Sequence, residues 1–550
     1  MSFTVSLFLL RRLAVPLLAS LGLLAVAGTV QADSAKVRAE GVVQVQIEDG
    51  PQSGRIHHFL DTAKGRYVLT FPGRAPAALK SGNRVRVTGR QSGATLALDG
   101  SGSVTTVSPA PLSNTLGEHK VALLLVNFTD NTSQPYTLAE AGSVLTQTSA
   151  FLQENSGGQT WLGGAPHGWL TLPIAQTCDA TAIAAAAGQA AAVAGIGLTG
   201  YQHVVYVFPR NSACAWSGQG TVGGTSGRIW INGRLELKVL AHELGHNFGL
   251  YHSHSLECGN AVLGSSCMTY DYGDTLDDMG NTSASHFNAF QKERLGWMSS
   301  GSLPGVATVT ASGTYTLAPY ATGSGTRALK IPKSVNATTG ARTWYYLEFR
   351  QAGGFDAVLA SLAGNNIASG VIVRTGADDD INSSFLLDLT PESSAYADWN
   401  DPALVLGRSY NDAAAGVVIT PLTVGSSGAT VHVAMDGGSA TPPPSSGGDG
   451  AVTALTVTAA TDKASYSGNQ TVALSATVKS GSAAVSGATV TFTITSPAGA
   501  ATVLNASSDG SGRATAAFRL ARKAAKGIYQ VKVQAKSTLS GSASTSFSVQ

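Results

Sequence analysis

Short runs in which apolar and polar positions alternate, separated by glycine, fill the chain from residue 33 to about 115: 41–47, 67–71, 84–89 and 95–98. A period of two broken by turn residues predicts a small all-β unit, a barrel of OB-like type. The pattern then changes. Residues 121–128 are a continuous apolar, β-branched run that reads as a buried strand, and 138–154 carries Leu145, Phe151 and Leu152 at helical intervals before stopping at Asn155-Ser156-Gly157-Gly158. Residues 180–195 form an alanine-rich second helix, 204–208 a further buried strand and 228–232 a short one. Leu237, Leu240, Leu244 and Phe248 then recur as the apolar stripe of another helix. Strands and helices in this order predict an α/β core over 116–303.

From 304 to 437 the period returns to two, in runs at 307–309, 314–317, 344–349, 370–373, 385–389, 416–419 and 430–434, which predicts a β-sandwich. Residues 438–450, with Thr441-Pro442-Pro443-Pro444-Ser445-Ser446-Gly447-Gly448 at their centre, read as a linker, stiff in its prolines and flexible in its glycines. Beyond it, 451–550 holds about seven β-runs and no cysteine, the pattern of an immunoglobulin-like sandwich serving as tether, spacer or adhesive module. At the other end, Arg11 and Arg12 precede an apolar run from 13 to 28 that closes in small residues, so 1–32 reads as a signal peptide cut after Ala32. That run is shorter than the roughly 20 residues a membrane span needs, so no stable membrane insertion is expected after cleavage. The expected location is extracellular or periplasmic.

Composition agrees with this outline and narrows it. A chain of 550 residues with 64 glycines suits three or four turn-rich, β-rich domains. Its formal charge of +2 comes from 35 basic and 33 acidic residues that are interspersed, which excludes a nucleic-acid or membrane-surface footprint. Cys178, Cys214, Cys258 and Cys267 are an even number in an exported chain and suit disulfides. Pairing Cys258 with Cys267 and Cys178 with Cys214 is the simplest of three connectivities. A cysteine metal site is the alternative, although no Cys-x-x-Cys occurs.

The candidate chemistry lies in His242-Glu243-Leu244-Gly245-His246-Asn247-Phe248-Gly249-Leu250-Tyr251-His252. Histidines at i and i+4 share one helix face, so His242 and His246 can face a single ion. Gly249 can take the left-handed conformation that ends a helix and so return His252 to that ion. Three histidines leave one position of a tetrahedral Zn2+ open for a water whose pKa falls to about 7, the mark of a catalytic site. Glu243, beside a ligand, is the candidate general base. A surface helix with solvated histidines is the bland alternative. It leaves the five matching positions unexplained.

The pattern His-Glu-x-x-His-x-x-Gly-x-x-His resembles that of the metzincin zinc proteases. More narrowly, the chain resembles the gametolysin family through Phe151-Leu152-Gln153-Glu154-Asn155-Ser156, residues 242–253, Tyr272-Gly273-Asp274, Met279-Gly280 and residues 286–297. The likeness covers 118–300 and continues more weakly to about 435. It implies a zinc endopeptidase acting on extracellular or cell-wall proteins or glycoproteins, with a methionine in a turn beneath the metal. Met279, in Asp277-Asp278-Met279-Gly280, fits the gametolysin pattern, whereas Met268, in Cys267-Met268-Thr269-Tyr270, resembles the Met-x-Tyr of other metzincins.

Other polar residues carry weaker signals. Residues 33–115 sit where a pro-domain would; they hold no cysteine to block a zinc ion, and only His57 and His58 offer themselves for that task. His254, two residues after His252, is expected on an exposed loop, with a hydrogen-bonding role behind the metal ligands as the alternative, and His286 in a packing or substrate-side role. Asp378-Asp379-Asp380-Ile381-Asn382 could offer oxygens to Ca2+, but without ligand spacing it reads first as a solvated acidic loop. The rival from another class is a secreted adhesion or glycan-binding protein with an inactive zinc domain, touching surfaces or matrix through its C-terminal module. A zinc site that hydrolyses something other than peptides is the third reading.

Overall fold

The computed structural model describes residues 36–111, 113–280, 284–298, 305–362, 365–392, 399–435, 455–480, 483–537 and 539–550. The expected signal peptide at 1–32 and linker at 438–450 lie outside the described residues. The described chain is rich in strands, which are distributed over several sheets.

Strands β1 (Lys36–Asp49), β2 (Gly54–Thr62), β3 (Gly65–Thr70), β4 (Arg84–Ser92), β5 (Thr95–Leu98) and β6 (Val104–Ser108) form the N-terminal unit. Pairings β1 to β2, β2 to β3, β3 to β5, β5 to β4 and β4 back to β1 close a ring. Val43, Val45, Leu60, Val85, Val87 and Leu96 fill its interior. Strand β2 has no apolar run to announce it, because His58 takes one of its inward positions and lies edge-on to Phe71.

The next region contains β7 (Gly117–Phe128), α1 (Leu138–Ser156), β8 (Thr160–Leu172), α2 (Ala180–Val193), β9 (His203–Phe208), β10 (Gly218–Thr221), β11 (Gly227–Asn232) and α3 (Leu237–Asn247). β7 runs parallel to β8 on one side and β9 on the other, and β11 runs parallel to β9. The unbroken apolar run of β7 follows from its being covered on both faces. Val121, Leu123 and Leu125 pack with α1 and α3, while Leu124, Val126 and Phe128 pack with α2. Thr137 caps α1 in a reciprocal bond with Glu140, a start that leaves the helix's first donors satisfied.

Strand β1 is longer than its ring requires. Its last four residues pair antiparallel with β10, Gln46 opposite Thr221 and Asp49 opposite Gly218. The two units thereby share one eleven-stranded sheet, and the end of β1 is carried into the middle of the α3 region.

After α3 come β12 (His254–Glu257), β13 (Met268–Tyr270) and α4 (Ala289–Arg294), then β14 (Val306–Thr308), β15 (Gly313–Leu317), β16 (Ala328–Val335), β17 (Arg342–Glu348), β18 (Gly370–Ala377) and β19 (Asp380–Leu387). β12 pairs parallel with β19, so the segment after His252 is the edge of the sheet β13-β12-β19-β18-β17-β16-β14. β15 belongs to a second, four-stranded sheet, and Leu317, Ile331, Tyr345, Val373 and Val431 pack between the two. Residues 455–549 form two more sheets, of four and five strands, around Val472, Val490, Phe492, Val531 and Phe547.

Disulfides join Cys178 to Cys214 and Cys258 to Cys267, with Cα separations of 5.4 and 4.2 Å. The first ties the approach to α2 to the segment between β9 and β10, and the second spans the β12–β13 connection. Among the described residues no helix is long and apolar enough to cross a membrane.

Candidate metal centre

Helix α3 is buried along its whole second half. Leu240 and Leu244 pack into the core with Phe151, Met279 and Phe287, which turns His242, Glu243 and His246 towards β10 and the chain that follows Gly249. Gly249 has φ of 102°, and the N–H groups of Gly249 and Leu250 donate to the carbonyls of His246 and Gly245 at 2.8 and 2.9 Å. This left-handed exit brings His252 back beside the helix. The three imidazoles pack ring against ring, with centroids 4.8 to 5.4 Å apart.

A fourth group meets them from 203 residues before His252, namely Asp49 at the end of β1. Its Oδ1 lies 2.8 Å from His252 Nε2, and its Oδ2 lies 3.4 and 3.5 Å from Nε2 of His242 and His246. One ligand atom from each of Asp49, His242, His246 and His252 falls within 4.8 Å of the other three.

The outward ring nitrogens explain why Nε2 points inward. A carbonyl or carboxylate oxygen only accepts, so each Nδ1 carries the proton: His242 donates to the Asp278 carbonyl at 2.8 Å, His246 to the Leu250 carbonyl at 2.9 Å and His252 to Asp271 Oδ2 at 3.2 Å. Such tethers hold metal-ligand histidines in one tautomer and orientation. His242 Nε2, His246 Nε2 and Asp49 Oδ2 are buried without a hydrogen-bond partner among the described residues. Buried polar atoms left this way cost about 1–3 kcal/mol each, and a cation among them removes the deficit. Three imidazoles and a carboxylate are donors that suit zinc.

The charges fit the same use. Burial, reinforced by the Lys238 ammonium, lowers His242 to about 3 and keeps it a neutral donor. Burial also opposes charge on His252, but hydrogen bonds to Asp271 and Asp49 outweigh it and raise its pKa to about 9. Glu243 is pushed well above the ordinary carboxylate range, first by burial and then by the Asp49 carboxylate beside it. Strand β10 is fitted to that glutamate. A Cβ on Gly218 would stand 1.9 Å from Glu243 Oε1, which is why Gly218-Gln219-Gly220-Thr221 carries no apolar signature yet forms a buried strand.

Residues 156–375 match the family model of the gametolysin peptidase M11, a family of zinc-dependent peptidases. This region is gametolysin-like. The match takes in α3, His252, β12 and β13 and the sheet through β18, and leaves out Asp49 and the N-terminal unit. No curated protein matches the chain. Solved structures with partial likeness include a Salmonella alpha-2-macroglobulin mutant (11% identity, 44% of this chain and 12% of that one, TM-score 0.17). An Escherichia coli alpha-2-macroglobulin activated by porcine elastase gives 9% identity over 41% of this chain and 24% of that one, TM-score 0.17. The Yersinia pseudotuberculosis adhesin InvE gives 13% identity over 33% and 55%, TM-score 0.14. The chain thus spans only a minor part of the two macroglobulins, and overlaps this poor say nothing about fold or activity.

Around the gametolysin-like centre the remaining candidates separate. Met279 is fully buried under α3, where a Cβ on Gly245 would lie 2.4 Å from its sulfur, whereas Met268 is 47% exposed on β13. Tyr272, not Tyr270, approaches the ligands: its hydroxyl donates to Asp49 Oδ1 at 3.0 Å and its ring lies 4.3 Å from that of His252. His254 is not on an exposed loop. It is buried on β12 and bonded to the Asp271 carbonyl and to Asn382 Oδ1, because β12 is drawn into the second sheet. His286 is buried between Glu154 and Lys292, away from the ligand cluster. His57 bonds to Glu48 and His58 faces the N-terminal core, so neither reaches the centre; Asp49 does. The acidic run at 378–382 is split among other partners, with Asp378 bonded to Trp344, Asp380 to Arg74 and Asn382 to His254.

A cleft of about 800 Å³ opens beside the centre, lined by Asp49, Ser217, Arg234, Lys238, Glu243 and Tyr272 among others. The sequence could not single out Asp49 or Asp271. Asp49 stands in Glu48-Asp49-Gly50-Pro51, where an aspartate reads as an ordinary turn residue.

Proposed function

We propose that the chain is a secreted zinc endopeptidase of metzincin type that hydrolyses peptide bonds of extracellular proteins or glycoproteins. The observation that carries this is the convergence of three outward-tethered imidazoles on the face of α3 that also holds Glu243. Zinc held by His242, His246 and His252 would polarise a scissile carbonyl and acidify water. Glu243 takes the proton of the attacking water and hands it to the leaving amine; its burial makes it a strong enough base for the first step and a good enough acid for the second. Met279 forms the floor beneath the ligand turns. The cleft beside the centre receives the substrate.

In this reading the closed ring of strands in the N-terminal unit is an OB-like barrel. The paired sheets of 305–435 form a sandwich on the catalytic unit, and residues 455–549 are an immunoglobulin-like tether. Two disulfides favour an oxidising compartment and, with the expected signal peptide, support secretion.

The test compares wild type with Glu243→Gln for zinc content and casein hydrolysis, each as the full chain and after limited trypsin trimming. Both should hold zinc, and only wild type should cleave. Casein cleavage by Glu243→Gln at the wild-type rate would remove the base from the mechanism. Zinc-loaded wild type inert in both forms would favour the adhesion reading.

A further inference from the structure

Resting on the zinc-peptidase reading, we propose that residues 36–108 are an autoinhibitory module whose Asp49 side chain takes the fourth position of the metal centre until the module is displaced. Four protein donors make a closed zinc site, and a hydrolytic site needs one position open. Asp49 is built into that position. Its oxygens lie 2.8 to 3.5 Å from all three Nε2 atoms, and the Tyr272 hydroxyl donates to Oδ1.

The fit extends beyond the carboxylate. Residues 46–49 pair with 218–221, so β1 uses the backbone donors and acceptors of the strand that lies against Glu243, the edge an extended substrate would need. At the turn into β2, the Gly54 N–H donates to Asp271 Oδ2 at 2.6 Å, the carboxylate that also holds His252. A side chain at Gly54 would place its Cβ 2.4 Å from His252 Cε1, so this turn presses directly on the third ligand. Strand, turn and carboxylate therefore cover the centre together.

The module is also separable. It is joined to the rest by one passage of chain, with Thr105, Thr106, Val107, Ser108 and Pro109 exposed. Downstream, the Thr115 hydroxyl donates to the Leu295 carbonyl, and its own carbonyl accepts from Thr160 and Trp297 at 2.6 and 2.8 Å. A cut near Pro109 leaves these anchors and β7 in place, while Asp49 is then held by noncovalent contacts alone.

Full-length wild type, Asp49→Ala and Asp49→Asn are loaded with Co2+ and titrated with acetohydroxamate while the visible spectrum is followed. Metal affinity is measured by chelator competition, and peptide hydrolysis with zinc. The asparagine variant keeps the β1–β10 pairing and the shape of the side chain should alanine fail to fold. Loss of a ligand should weaken metal binding by at least the roughly 10-fold that loss of a ligand's outer hydrogen-bond partner brings, yet both variants should respond to hydroxamate and hydrolyse peptide at least about tenfold faster than full-length wild type. A permanent structural ligand would lower affinity and activity together, and that outcome overturns the proposal. So does wild type that takes up hydroxamate or cleaves casein as readily as Asp49→Ala, which would leave the peptidase reading intact. Variants that take up hydroxamate but cleave nothing would support the closure by Asp49 and overturn the peptidase reading instead.

Discussion

Replacing Arg374 tests whether the sheet after residue 304 is part of the metal centre's support. Arg374 is fully buried on β18, and its guanidinium donates twice to Asp274, at 2.6 and 3.1 Å, and lies 2.9 Å from Glu348. Asp274 in turn donates its N–H to the Ser253 carbonyl, next to His252. Burial works against the arginine's charge, but Asp274 and Glu348 outweigh it and raise its pKa, so the cation persists at every working pH. Arg374→Met leaves the buried Asp274 carboxylate without its guanidinium and Glu348 with Arg350 alone, which is also bonded to Asp356. Removing one partner of a buried pair costs about 3–5 kcal/mol, far more than an exposed pair contributes. With a urea slope of about 2–3 kcal/mol per M, the midpoint should fall by about 1–2.5 M. Arg374→Lys keeps the charge, loses the fork and should fall between. Urea unfolding followed by the absorption of Co2+ at the centre reports this unit without contribution from residues 455–549. An Arg374→Met midpoint within about 0.3 M of wild type would refute the reasoning, since desolvation would then cancel the pairing.

Three further outcomes are expected. Gly218→Ala should keep zinc but lose about 10²-fold in hydrolysis, because the new Cβ displaces the Glu243 carboxylate from 1.9 Å away; an unchanged rate at equal zinc content would contradict this. In metal-free protein the raised pKa of His252 makes its imidazolium stabilising below about pH 6.5, and that stability is lost as pH rises through about 9. Zinc binding near pH 8 should accordingly release at least one proton, read by calorimetry in buffers of different ionisation enthalpy, and no buffer dependence would count against it. Removing Cys178–Cys214, whose separation is 36, should cost about 4 kcal/mol, against about 2.5 for Cys258–Cys267 with a separation of 9, on loop-entropy grounds. Urea unfolding of the two paired-serine variants checks the order.

Much of this molecule is written locally. The run of 121–128 is unbroken because β7 is covered on both faces, and the stripe of α3 follows the side that packs on α1, so both elements are legible from their periods. β8 and β10 are not, since their glycines serve close approach to neighbouring groups and give no alternation to read. The burial of His254 is hidden from the local pattern for a related reason. Its burial depends on β12 pairing with β19, more than a hundred residues away along the chain, as the His254–Asn382 separation of 128 makes plain.

The sequence by itself determined the metal chemistry: the spacing of His242, Glu243, His246, Gly249 and His252 is a property of one helix and one turn, and helix geometry alone brings three of those side chains to one side. Only the tertiary structure decided what stands opposite them. Asp49 reaches the centre because β1 outruns its own ring of strands and finds β10, and Asp271 steadies His252 because the loop after β13 is held at Asp274 by Arg374. Such contacts rest on pairings between distant strands, and a pairing has no periodicity of its own in either partner.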